Sequence, residues 1–488
     1  MVDYVSAMHN SVPPGSGRRF ALDSAAGRLT PAERAARGKA ARSAAPREGH
    51  AVYDPPADRR DPVGLLERQA ATRLPDLVPV RYGRMLASPF SYFRGAALPM
   101  AADLAATPVS GLAVQACGDA HLSNFGVYAS PERALVFDLN DFDETLPGPW
   151  EWDVKRLAAS LEVAGRANGY RPAVRRTMVT AAVGRYHQAM RDFAGQGDLA
   201  VWYARAETEA LREQFGSQLA ARDQRQADRV VAKARTRDSL QALAQLTRQV
   251  DGRPRIVADP PLVVPLSDLV PGSADQAELE TNLKKLIGDY RRTLETDRRY
   301  LLEQFEFADM ARKVVGVGSI GTRCWIVLML GRDASDPLFL QVKEAERSVL
   351  EDFAGTSEYA NHGQRVVAGQ RLMQAASDIF LGWQRSKVDP DGRPHDYYIR
   401  QLRDGKVSAD IETMTAAGMS AYGELCGWTL ARAHARSGDR IAIAAYLGQS
   451  AVFDQAIAEF AAAYADQNDR DHQALAAAVA SGRVTAST

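Results

Sequence analysis

Gly316-Val-Gly318-Ser319-Ile-Gly321 is a G-x-G-x-x-G, and its surroundings decide how residues 313–343 fold. Upstream stands the short strand-like run Lys313–Val317. Downstream, Thr322–Leu330 is aromatic and β-branched at its centre, a composition that suits a strand. The turn Gly331–Pro337 leads into a third run, Leu338–Val342, which ends at Lys343. Two arrangements use such glycines. In a dinucleotide fold they end a strand and open a helix whose N-terminus faces a pyrophosphate. In a hairpin they form a loop whose backbone covers the phosphates of ATP, while a lysine on the third strand neutralises the α- and β-phosphates. The first predicts a helix from Gly321, the second a strand over 322–330, and the composition favours the second. No G-x-x-x-x-G-K-[ST] is present, so a Walker-type loop is not expected. Most strand-end lysines are simply exposed, but the glycine hairpin ahead of Lys343 argues for a phosphate contact. A lysine in that role pairs with a glutamate on the next helix, for which Glu351 and Glu358 both qualify.

A second group of residues lies about 200 positions earlier. Residues 113–117 read as a short buried strand, followed by Gly118-Asp119-Ala-His121-Leu-Ser-Asn124. A further apolar strand, Ala134–Phe137, ends in Asp138-Leu-Asn140-Asp141-Phe-Asp143-Glu144. Single Asp and Asn residues at strand ends ordinarily shape turns. Asp119, Asn124 and Asp138 together form a set suited to phosphoryl transfer from ATP. One carboxylate orients the attacking hydroxyl, and an amide oxygen with a second carboxylate holds Mg²⁺, a hard cation that prefers oxygen. Asp141 and Asp143 are equally readable as metal or substrate contacts and as turn residues. The D-x-H of Asp119 and His121 also opens some two-metal phosphoesterase sites, but the other histidines lack the matching contexts, so His121 reads as a structural residue of the loop. Arg94, in the aromatic run Phe90–Gly95, is a candidate phosphate contact or a carboxylate partner.

The rest of the chain sets the frame. Its 488 residues, 46% hydrophobic and 25% charged, are enough for two or three cores. Lys plus Arg equals Asp plus Glu at 60 each, so no net charge favours nucleic acid or an anionic membrane. Three scattered cysteines make neither a disulfide framework nor a zinc site. No signal peptide or membrane-length apolar run is seen, and a soluble, cytoplasmic protein is expected. Residues 1–50 read as a flexible or loosely docked arm within an N-terminal extension, 1–76. Helical texture follows Asp153 and runs to about 248. Prolines 254, 260, 261, 265 and 271 mark a linker that, with a connecting helix, fills 251–304. A small β-rich lobe is expected over 305–405, with a helix near 363–377 and a strand at 397–399. Residues 77–250 and 406–488 would be two parts of a helical lobe.

These residues resemble a known superfamily. Gly118-Asp119-x-His121-x-x-Asn124 followed by Phe137-Asp138 is similar to the H-G-D-x-H-x-x-N and I-D motifs of aminoglycoside phosphotransferases, choline kinases and related protein-kinase-like enzymes. Trp152-Asp153-Val-Lys-Arg-Leu157 resembles their segment in which an aspartate braces the catalytic loop, although Asp153 could equally cap its own helix. The chain also resembles a bacterial family known as a domain of unknown function, through SPFSYFRG, CGDAHLSNFG, FDLNDFDETLPGPWEWDVKRLAASL, RKVVGVGSIGTR, LQVKEA and GQRLMQAASDIFLGW. There are two departures. Cys117 stands where the superfamily motif has histidine, and the catalytic loop precedes the glycine loop. A circular permutation reconciles the order, with Tyr397–Leu402 as the hinge strand into the second helical part.

The resemblance implies a two-lobed, permuted, kinase-like α+β fold that binds ATP and Mg²⁺. Its γ-phosphoryl group would pass to an unidentified hydroxyl acceptor. Asp119 would be the catalytic residue and Asn124 and Asp138 the metal ligands. Gly316, Gly318, Ser319, Gly321 and Lys343 would bind the nucleotide, with Glu351 pairing the lysine. Nucleotidyl transfer from a reversed ATP, a nucleotide-binding pseudokinase and a dinucleotide-dependent oxidoreductase are the alternatives. Oligomeric state is left open.

Overall fold

The computed structural model describes residues 20–22, 29–209, 221–236, 239–269, 273–314, 316–386, 392–402 and 405–487. It has a mixed α+β architecture. Four strands precede the long helices: β1 (Ala113–Ala116), β2 (Phe125–Ala129), β3 (Leu135–Leu139) and β4 (Leu146–Pro149). β2 and β3 form an antiparallel hairpin, and β1 pairs with β4, so the chain leaves and re-enters one small region around residues 117–145.

Helix α1 (Trp150–Ala167) follows at once, then α2 (Pro172–Ala194). Their partners come from the far end of the sequence: α4 (Ala416–Ser437) and α5 (Val452–Ala480). The close approach of α2 and α4 needs a residue without a side chain, because a Cβ on Gly427 would lie 2.3 Å from the Ala182 carbonyl oxygen. These helices share one apolar core with the strands just described, including Leu157, Leu161, Met190, Leu430 and Ile457. Among the described residues, no single helix is long and apolar enough to cross a membrane.

Between the two helical parts lies an antiparallel six-stranded sheet. In chain order its strands are β5 (Val263–Pro265), β6 (Glu306–Lys313), β7 (Cys324–Leu330), β8 (Pro337–Glu344), β9 (Gly382–Arg385) and β10 (Asp396–Gln401). Their order across the sheet is β9-β10-β8-β7-β6-β5. Helix α3 (His362–Met373) connects β8 to β9, where a helix was expected.

Three expectations need correction. The strand ahead of the glycines is Glu306–Lys313 rather than Lys313–Val317, and Val317–Ser319 form a turn of 3-10 helix. The proline-rich segment is no bare linker. Thr247–Val250 and Arg253–Ile256 pair as a hairpin, and β5 supplies the sheet's edge. Prolines are tolerated there because an edge strand need not donate on both sides. Pro271 lies outside the described residues. Finally, residues 31–44 are not a loose arm. Pro31–Ala44 is a helix with a Thr30/Glu33 capping box, and Arg34 pairs with Asp439 at 2.8 Å. Residues 1–19 and 23–28, also assigned to the arm, fall outside the described residues.

Candidate functional site

Asp119 stands on the turn after β1. Gly118 makes this turn possible: its φ is +80°, and a Cβ there would meet the Glu144 carbonyl oxygen at 2.5 Å. Asp153, on α1, holds the turn by accepting from the backbone N–H groups of Cys117 (2.6 Å) and Gly118 (2.9 Å). Pro149 occupies the N-cap of α1, so Asp153 braces the loop and does not cap its helix. His434 of α4 contacts the same carboxylate at 3.1 Å and Tyr186 at 2.9 Å, tying the loop to both halves of the helical core. Cys117, in the place of the histidine, points its thiol at the Asp141 carbonyl, 3.4 Å away.

The Asp119 carboxylate accepts from Arg156 Nε at 2.5 Å, and Arg156 is itself fixed by the Phe93 carbonyl (2.9 Å) and ring. Asn124 donates its amide nitrogen to the Asp119 carbonyl at 2.7 Å, which leaves its side-chain oxygen for another partner. His121 accepts from Ser123 N–H and shapes the turn. Burial pushes its imidazole down to about 3 against the opposing pull of Asp119, so it is neutral and structural.

The assigned metal ligand Asp138 does not face this site. It is fully buried, ion-paired with Arg432 of α4 and hydrogen-bonded by Ala375 N–H at 2.8 Å. The acids that reach the cleft are Asp141 and Asp143, just past the end of β3. Lys343 forms an ion pair with Asp143 and lies 3.7 Å from Asp141. Asp143 also accepts from Tyr398 (2.8 Å) and from the glycine-loop residue Ser319 (3.2 Å). Burial raises the Asp141 carboxyl, but Lys343, Arg400 and Lys406 outweigh it and hold the group below the usual range. The same carboxylates hold Lys343 well above the ordinary lysine value despite its burial.

Glu351 is not the partner of Lys343. It closes a capping box with Ser348 and lies 3.4 Å from Arg347, while Glu358 is exposed. The helix after β8 contributes an arginine to the region instead. Arg365, 1% exposed, donates to the carbonyls of Asp143 (2.8 Å), Thr145 (2.7 Å) and Glu346 (2.8 Å), fixing the acidic segment through its backbone.

The glycine loop is anchored from outside the sheet. Arg73 donates to the carbonyls of Ile320 and, at 2.9 Å, Gly318, and Leu74 N–H reaches the Gly321 carbonyl at 2.8 Å. No helix begins at Gly321; β7 does so three residues later, which removes the dinucleotide arrangement.

Both residue groups therefore meet. Asp119, Asn124, Asp141, Asp143, Gly316, Gly318, Ser319 and Lys343 line one cleft of ≈ 370 Å³, joined by Arg94, Arg400 and Lys406. Gly321 and Glu351 do not line it. Arg400, inside the expected hinge strand Tyr397–Leu402, and Lys406 and Arg156 carry no sequence signal that marks them for this region. Among the described residues, no three His, Cys, Asp or Glu side chains are grouped to hold a metal unaided. Asn124 and Asp141 suit a hard cation that takes its remaining ligands from water and phosphate.

Comparison with known proteins gives one positive finding. A family model matches residues 73–478, that of an uncharacterized protein conserved in bacteria (DUF2252). No curated protein and no solved structure matches the chain.

Proposed function

The chain belongs to this bacterial family, and from the geometry of its cleft we propose an ATP- and Mg²⁺-dependent transferase that moves a phosphorus-containing group to a hydroxyl acceptor. The observation that carries the proposal is the convergence of two sequence groups. The Asp119–Asn124 turn and the Asp141–Asp143 segment share a cleft with the glycine loop and with Lys343, which pairs with Asp143. That is also the arrangement a circularly permuted, kinase-like fold would require, with the sheet as its small lobe. In this reading Asp119 accepts the proton of the attacking hydroxyl, with Arg156 fixing the carboxylate. Lys343 turns from the carboxylates towards phosphate oxygens, and the 316–319 backbone covers them. Asn124 and Asp141 would hold Mg²⁺, which supplies charge neutralisation along the phosphate chain when bound.

Calorimetry with Mg-ATP tests the reading. Wild type should bind only with Mg²⁺ present, and Asp141→Asn should weaken binding by about tenfold or more, the cost of one charged contact. Absence of Mg-ATP binding to wild type would sink the proposal.

The affinity should also depend on pH. Burial and the neighbouring Arg400 push Lys406 down to about 7, with Asp141 and Asp143 pulling the other way. An anion bound beside it would raise that value. Binding therefore takes up a proton above about pH 7, and affinity should fall by up to roughly tenfold per pH unit there. Glu144, pushed up to about 7 by burial, gains its negative charge over the same range and acts in the same direction. Titrations in two buffers of different ionisation enthalpy would read the proton uptake; none at pH 8 would contradict it.

A further inference from the structure

One end of the cleft is built for charge, not for a nucleobase. In the β8–β10 register Gln341 lies opposite Arg400, and Lys343 opposite Tyr398. Arg400 Nε donates to Gln341 Oε1 at 3.0 Å, and Nη1 donates to the Asn140 carbonyl at 3.3 Å. Its guanidinium thus ties the sheet to the segment after β3. A purine inserted there would need a flat apolar slot, and it would break two hydrogen bonds of a half-buried cation. Lys406 Nζ reaches the same Asn140 carbonyl at 3.2 Å, so a second cation adjoins the first. The two Arg400 bonds use two of the five N–H groups of a guanidinium, leaving donors for a ligand. The cleft is also lined by Gly95, Ala97, Val317 and the planar guanidinium of Arg94, which feels the charge of Asp119, surfaces on which a base can stack.

We propose that a nucleoside triphosphate binds this cleft with its phosphates at the Arg400 end. Its β- and γ-phosphates then lie against Arg400 and Lys406, its α-phosphorus lies beside Asp119, and the nucleotidyl group is what is transferred. This rests on the transferase reading and specifies its reaction. The acceptor oxygen forms a bond to the α-phosphorus, and the bond from that phosphorus to the α–β bridging oxygen breaks. Pyrophosphate leaves with the electron pair, and the hydroxyl proton passes to Asp119.

The test is titration of the full chain with Mg-tripolyphosphate, which has no base, and with Mg-ATP. Wild type, Arg400→Gln and Lys406→Gln are compared, the last keeping the test alive should the arginine variant fail to fold. Both ligands are expected to bind wild type. The variants should lose on the order of ten- to a hundredfold for both, as expected for a charge-assisted contact to phosphate. Phosphorus NMR of wild type with Mg-ATP should show AMP and pyrophosphate; where no cleavage is seen, the affinities alone decide. Unchanged tripolyphosphate affinity in both variants, or ADP and phosphate as products, would overturn the inverted orientation and leave the transferase reading standing. If neither ligand binds wild type, that reading falls as well.

Discussion

Asp138→Ala is expected to lower stability by about 3–5 kcal/mol, the usual cost of removing one partner from a buried ion pair. The carboxylate is inaccessible, and its partner Arg432 is 1% exposed. With the aspartate gone, the guanidinium is left in the core with no counter-charge. The loss should appear in a urea denaturation series as a lower midpoint. Adding Arg432→Met should recover much of it, because a well-packed apolar replacement of the whole pair is often neutral or better. A metal ligand would behave oppositely, with stability kept and the Mg²⁺ dependence of nucleotide binding lost. The same titration therefore separates Asp138 from Asp141, three residues on.

Asp119→Asn is expected to reduce cleavage of Mg-ATP by roughly 10²–10⁴-fold, the range for loss of a general base. Nucleotide affinity should change far less. The amide retains an oxygen for Arg156, so the turn should keep its shape, but it cannot take up the proton of an acceptor. AMP or ADP formation measured alongside calorimetry separates the two effects. Full turnover in the variant would remove Asp119 from the chemistry.

The sheet and the glycine loop were legible because their signals are local. Glycine spacing, a β-branched run and a terminal lysine all lie within 28 residues, Gly316 to Lys343. That Asp119 and Asn124 share one turn was likewise legible from five residues of spacing. Asp138 was misassigned because β3 is covered on both faces. Phe137, Asp138 and Leu139 are all buried, so alternation along the strand carries no information about which side chain reaches the cleft. What settles it is a partner 294 residues away, Arg432. Glu351 was a different kind of error. Ser348-Val-Leu-Glu351 is an S-x-x-E, and the capping box it forms was readable from spacing alone. Arg400 and Lys406 were hidden for a third reason. A lone arginine or lysine near a strand end gives no sign that the fold sets it beside carboxylates from the other half of the chain.

The order in which the helical core is assembled has a consequence for biogenesis. Its first helices, α1 and α2, end at Ala194, whereas the helices that cover them begin at Ala416 and finish at Ala480. At ~5–20 residues per second, synthesis leaves roughly 10–60 s between the appearance of the two halves. During that interval Leu157, Leu161 and Met190 have the earlier strands beside them but not the cover of α4 and α5, and the sixth strand of the intervening sheet is complete only at Gln401. Contacts of such long sequence separation are also slow to form once the chain is free. A chain paused before residue 416 thus carries a half-covered pair of helices, and that species is the one exposed to aggregation and to chaperone capture.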